Sequence, residues 1–151
     1  MNMHELLAER EIYRALTRVA RAMDMRDWSA LDAIMLPDIS GDLGTGPLIG
    51  RDEVVALMRS FLDDCGPTQH LLGNVLIDIR GDTAASQTYV SDMHVGVGNK
   101  SGETFSTLGD YQDRWKNVDG VWRMCHRVKL NRAHIGSYDV LGAGPSHWQP
   151  R

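Results

Sequence analysis

Leu62-Asp63-Asp64-Cys65-Gly66-Pro67-Thr68-Gln69-His70-Leu71-Leu72 is the stretch in which the hydrophobic rhythm of the chain changes. Before it, apolar residues recur every three or four positions, as on one face of a helix; after it, they fall in longer β-rich segments divided by turn residues. Gly66-Pro67 marks the break, since glycine tolerates the left-handed turn that ends helices and proline has no N–H with which to continue one. Helices followed by strands predict an α+β arrangement.

Working back from the break, Val54, Leu57, Met58, Phe61 and Leu62 give a helix that starts near Gly50-Arg51-Asp52 a buried face. The preceding residues 38–49 form a connection whose glycines and Pro47 leave room for at most a short strand. Asp27 is the expected N-cap of a second helix carrying Trp28, Leu31, Ile34 and Met35, closed by Pro37. The first helix runs from Glu5 to Asp24, with Ile12, Leu16, Val19 and Met23 as its apolar stripe.

Working forward, strands are expected near 68–79, 83–97, 103–116 and 121–132, separated by Arg80-Gly81-Asp82, Gly98-Asn99-Lys100-Ser101-Gly102 and Asn117-Val118-Asp119-Gly120. Such short connections make neighbouring strands antiparallel. The expected architecture is three N-terminal helices packed on one face of a strongly curved antiparallel sheet, in one domain over 1–151. Residues 133–151 are expected as an irregular tail whose Tyr138, Val140, Leu141 and Trp148 pack across a surface or a partner.

The composition, 42% hydrophobic and 24% charged over 151 residues, is that of an ordinary globular protein. No apolar run approaches the roughly 20 residues that cross a bilayer, so no membrane partner is expected. Met1-Asn2-Met3-His4-Glu5 lacks the basic, then apolar, pattern of a signal peptide, and a cytoplasmic location is the default. Cys65 and Cys125 have no metal or redox spacing and read as free thiols. A net charge of −4 with scattered Lys and Arg argues against a nucleic-acid partner and for a small neutral or weakly charged ligand.

The six histidines show neither His-x-His nor His-Glu-x-x-His spacing, so no metal is expected. Gly41, Gly44 and Gly46 do not precede a helix at dinucleotide-binding spacing, and no cofactor is expected.

Two residues can form a base. Asp24 ends the first helix at the edge of its apolar stripe, where a carboxylate is costly to desolvate unless paired. His70 opens the first long strand, where helix and sheet meet. In such a pair the carboxylate holds one imidazole N–H and makes the other nitrogen a better base near neutral pH. Tyr13, eleven residues before Asp24, points the same way from the helix; it is either a donor to a substrate carbonyl or plain core.

Ala22-Met23-Asp24-Met25-Arg26-Asp27-Trp28, Thr68-Gln69-His70-Leu71-Leu72-Gly73-Asn74, Gly81-Asp82-Thr83-Ala84 and Asp119-Gly120-Val121-Trp122-Arg123 resemble, in order and spacing, the signature stretches of SnoaL-like proteins of the NTF2-like superfamily. The chain is most similar to the branch holding scytalone dehydratase and hexachlorocyclohexane dehydrochlorinase. The resemblance implies a cone-shaped fold and a catalytic pair at Asp24 and His70. It places His94 where the dehydratase has a second active-site histidine, to bind a substrate oxygen or help a hydroxyl leave; otherwise His94 is a surface strand residue. Gly109 and Tyr111 fall near a serine and an asparagine of the dehydratase, and Met23 where it has a tyrosine, so Tyr111 is a substrate-facing candidate of altered chemistry. Arg127 resembles an arginine that supports the pair in the dehydrochlorinase. Strict alternation instead puts His126 on the face of Trp122 and Met124, so one of the two is expected in the pocket unless a bulge intervenes.

The implied activity is a cofactor-independent lyase that removes a proton and expels water or halide from a small apolar, ring-containing substrate. The alternatives are a ketosteroid-isomerase-like isomerase and a non-catalytic NTF2-like binding or assembly module. A homo-oligomer, dimer or trimer, is expected, with Trp115, Val121 and the Tyr138-to-Trp148 segment covering the outer face of the sheet.

Overall fold

The structure is a computed structural model and describes residues 1–150. Helix α1 spans Met3–Met25 and starts in a capping box, Asn2 accepting from the Glu5 backbone N–H and Glu5 from that of Asn2. Its stripe is buried as expected: Ile12, Leu16 and Val19 are at most 1% exposed, each contributing about 1.5–3 kcal/mol of apolar burial. It ends at Arg26, whose left-handed backbone (φ 55°) turns the chain.

The second expected helix is instead a short 3-10 segment, Trp28–Ala33. Asp27 makes no side-chain cap bond to it, while Ile34 and Met35 leave it to enter the core. Met35 begins strand β1, Met35–Asp42, which is followed by β2, Pro47–Ile49. Helix α2, Arg51–Leu62, buries Val54, Leu57, Met58 and Leu62.

After Gly66-Pro67 come β3 (Thr68–Arg80), β4 (Thr83–Val95), β5 (Thr104–Val118) and β6 (Val121–Gly136). The six strands form one sheet in the order β2-β1-β6-β5-β4-β3. Neighbours from β3 to β6 are antiparallel, but β1 pairs with β6 in parallel, so the sheet is mixed rather than wholly antiparallel. Pro37 and Gly41 had hidden β1 in the sequence. The register slips between Met35 and Ser40, a span that holds Pro37, which has no N–H to give a ladder. Gly41 is needed because a Cβ there would stand 2.1 Å from the Arg127 carbonyl oxygen.

Helix α1 packs against β3 at the sheet edge and also against β6, with β4 and β5 lying between those strands in the sheet. Only a sheet that curls around the helix allows both contacts, and its bulges on β3 and β6 supply the bends. The inner face divides in two. Ala84, Trp115, Trp122 and Met124 join the α1 core at one end; His94, Asp92, Thr107 and Tyr111, also buried, gather at the other.

The last strand continues to Gly136, into the stretch expected as irregular, and a 3-10 turn follows at Tyr138–Val140. The tail then returns to α2: the Gly142 N–H donates to the Phe61 carbonyl, and the Trp148 ring meets Phe61 edge-on at 5.0 Å. Trp115, expected on the outer face, is 1% exposed and its indole N–H donates to Ser86 inside the sheet. Among the described residues, no helix is long and apolar enough to cross a membrane.

Candidate active site

The end of α1 and the beginning of β3 meet through Arg26. Its guanidinium donates to the carbonyls of Met23, Leu62 and Gly66 and to the Thr68 hydroxyl, tying the ends of both helices to the strand. Thr68 in turn donates to Asp24 at 2.9 Å. Asp24 receives two bonds from His70: the backbone N–H at 3.1 Å on one oxygen and the ring Nδ1 at 2.7 Å on the other. Burial works to raise the Asp24 carboxyl, but the bonds from His70 and Thr68 outweigh it and hold it below its ordinary value, so Asp24 is an anion at neutral pH. An anion only accepts, so Nδ1 of His70 carries a proton, and in the neutral ring Nε2 is the nitrogen that acts as base.

His70 opens onto a cavity of about 170 Å³, comparable to the ~150 Å³ hollow that holds a benzene ring elsewhere. Leu57, Met58 and Phe61 of α2 and Leu141 and Trp148 of the tail form its apolar wall, and His94, Thr107, Tyr111, Lys129 and Asn131 its polar one. Tyr138 and Trp148 of the tail, expected outside the sheet, therefore close this pocket.

His94 is buried and its ring stands edge-on to His70, centroids 5.6 Å apart. Its Nδ1 lies 3.0 Å from the Phe105 carbonyl, which can only accept, so Nε2 is again the bare nitrogen. Burial lowers the His94 pKa and keeps the ring neutral, although Asp92 beside it pulls the other way. A neutral ring with a bare Nε2 can accept a hydrogen bond from a substrate hydroxyl but cannot protonate it.

Tyr111 is buried against the cavity, and burial raises its phenol. Arg127 lies behind it: the guanidinium carbon is 3.7 Å from the ring centroid, and two nitrogens bind Asp113 at 2.7 and 2.8 Å. Burial pushes the Asp113 carboxyl up, and the two-pronged bond keeps the pair ionic. Arg127 faces inward because β6 bulges at Cys125: Arg114 pairs with His126, but Trp115 pairs with Met124. The same bulge sends His126 to the outer face, where it bonds Ser40 at 2.7 Å. Neither residue lines the cavity, which corrects the expectation for His126 and makes Arg127 a support for Tyr111. Tyr13 is also outside the site: it is 53% exposed, and eleven residues along a helix is roughly 16 Å.

Three polar residues in or behind this wall, Asp92, Thr107 and Lys129, were not expected at the site from the sequence. Asp92, 1% exposed, accepts from the Thr107 N–H at 2.7 Å, the Thr107 hydroxyl at 2.6 Å and the Lys129 ammonium at 2.8 Å. Burial raises the Asp92 carboxyl, and Lys129 and Thr107 more than reverse this. Alternation on β4 puts Asp92 and His94 on one face, a regularity visible in sequence, but it does not say which face is inside. The ring nitrogens of His70 and His94 and an Asp92 oxygen lie within 4.8 Å of one another, a grouping that spacing along the chain did not suggest and that could ligate a metal. Lys129 already supplies the positive charge there.

The SnoaL-like domain family matches residues 4–128. An uncharacterised protein of Mycobacterium tuberculosis is 28% identical over 131 residues, covering 85% of this chain and 88% of that protein. Among solved structures, a proposed scytalone dehydratase from Novosphingobium aromaticivorans superposes with a TM-score of 0.78 at 22% identity, covering 91% of this chain and 92% of that one. A hexachlorocyclohexane dehydrochlorinase, LinA type 2, gives 0.79 at 17% identity, with 94% and 97% covered. A proposed aromatic ring hydroxylase, also from N. aromaticivorans, gives 0.75 at 24% identity, with 86% and 93% covered. At these identities the structural likenesses establish the fold, a curved α+β cone.

Proposed function

The chain belongs to the SnoaL-like family, and on that premise we propose that it is a cofactor-independent lyase acting on a small apolar, ring-containing substrate. The reading rests on the 2.7 Å hydrogen bond that Nδ1 of His70 donates to Asp24, beside a ring-sized hollow. Nε2 of His70 takes a proton from a carbon next to a carbonyl, and Asp24 stabilises the imidazolium that forms. The C–H electron pair becomes the new double bond, a β-hydroxyl leaves, and the imidazolium returns its proton to that hydroxyl, releasing water. His94 accepts a hydrogen bond from the hydroxyl and holds it in place. The apolar α2 and tail wall receives the ring.

The same protein is proposed to work as a homo-oligomer. Leu71, Met93, Leu108 and Ile135, all on the outer face in adjacent rows of the sheet, are between 43% and 66% exposed.

Wild-type protein and His70→Ala are incubated with hydroxy-ketone and halogenated ring compounds while conjugated product is followed by absorbance. Turnover by the wild type alone supports the base; a wild type inactive across the panel favours a binding module.

A further inference from the structure

The mechanism so far uses one side of the pocket. On the other, Lys129 occupies a position that is expensive to fill: an ammonium 15% exposed in its side chain, within a mostly apolar hollow. Its four-carbon stem rises from the level of Tyr111, its register partner, and runs back past Gly109 to reach Asp92 and Thr107. Gly109 makes the passage: a Cβ there would stand 2.9 Å from Cε of Lys129 and 2.8 Å from Val90. Thr107 donates its hydroxyl hydrogen to Asp92, so it accepts from Lys129 at 3.1 Å. Lys129 thus spends two of its three N–H donors on Asp92 and Thr107, and no third partner exists among the described residues. Asp92, for its part, accepts three bonds and has no hydrogen to offer a ligand.

We propose that Lys129 is the oxygen pole of the pocket, its free N–H binding the substrate's carbonyl oxygen and stabilising the enolate oxygen formed when His70 takes the adjacent proton. This deepens the lyase reading and rests on it for the role of His70. It narrows the substrate class to ring compounds bearing a carbonyl, β-hydroxy ketones foremost. A halogenated cycloalkane has no oxygen and would leave the ammonium facing apolar surface. In the step, the C–H pair forms a carbon–carbon double bond and the carbonyl π pair moves onto oxygen, beside Lys129. When that pair returns, the C=O reforms, the enolate π pair moves to join the α and β carbons, the β C–O bond breaks with its pair leaving on oxygen, and the proton held by His70 completes water. No oxidant, reductant or further reactant is required.

The test uses 4-nitrophenol, which offers a ring and an ionisable oxygen and whose phenolate absorbs in the visible. Bound to wild type, its ionisation is expected to shift towards phenolate by about tenfold or more, as one added charged hydrogen bond implies. Lys129→Met should abolish that shift, whereas His70→Ala should keep it. Because Lys129→Met leaves the Asp92 carboxylate unpaired, Asp92→Asn/Lys129→Met serves as a second variant that folds without a buried charge and should also show no shift; Asp92→Asn alone should retain it. An equal shift in wild type and the double variant overturns the proposal. A Lys129-dependent shift in a protein inactive on every ring substrate leaves the oxygen pole standing and removes the lyase instead.

Discussion

Arg127 and Asp113 form a two-pronged ion pair inside the sheet, with bonds of 2.7 and 2.8 Å, both side chains at most 2% exposed, beneath the ring of Tyr111. Charges this deep are held only by each other. The pair fixes the floor on which Tyr111 and the cavity rest.

Arg127→Met removes one partner and leaves a buried carboxylate, and is expected to cost about 3–5 kcal/mol. Asp113→Leu/Arg127→Met removes both and is expected to recover most of that loss. Urea unfolding of the three proteins measures the difference; equal destabilisation by the single and double variants would mean that packing, rather than the unpaired charge, is what is lost.

Acid sensitivity should appear in two stages. Burial holds the pKa of His94 below 6.5, so the unfolded chain takes up a proton there before the folded one does. Its contribution is complete above 6.5 and declines as the pH falls below it. The Asp92 and Asp24 carboxyls are held below 3.8, so their contribution is present above that value and is lost as the pH falls further, through their folded pKa values. Unfolding midpoints measured between about pH 8 and pH 3 should show both declines, and His94→Gln should remove only the first.

The outer rows of the sheet predict self-association. Met93 and Leu108 stand on neighbouring strands, both more than 40% exposed. Met93→Lys/Leu108→Lys, which puts charge on a surface away from the cavity, is expected to yield monomers by sedimentation with the fold intact. A wild type that sediments as a monomer contradicts the oligomer.

The sequence showed these features unevenly, for physical reasons. Helices α1 and α2 and the four long strands were legible because each buries one face and so carries a regular period. Asp24 and His70 could be brought together because each lies at an element end and because the resemblance to SnoaL-like proteins pairs those two positions. Strand β1 was not legible, since its register slips in the span of Pro37, its Gly41 answers to a distant carbonyl, and its partner β6 is parallel and nearly ninety residues away. The inward set on β6 changes twice, at bulges at Cys125 and Arg132, so Trp122 and Met124 point in, then Arg127, Lys129 and Asn131, then His134. No alternation rule finds Lys129 or Asn131 across such breaks, and that is why the β6 part of the polar wall emerged only in three dimensions. Arg26 was missed for a different reason: its role depends on carbonyls gathered from three segments.

Asp24 holds the shared proton of His70 on Nδ1, so that in the neutral ring the cavity-facing nitrogen is the base. Long-range nitrogen–proton NMR of the histidine rings reads this directly. In the neutral ring the proton is expected on Nδ1, and that preference is expected to be lost in Asp24→Asn. A neutral His70 ring with its proton on Nε2 in the wild-type protein would contradict it.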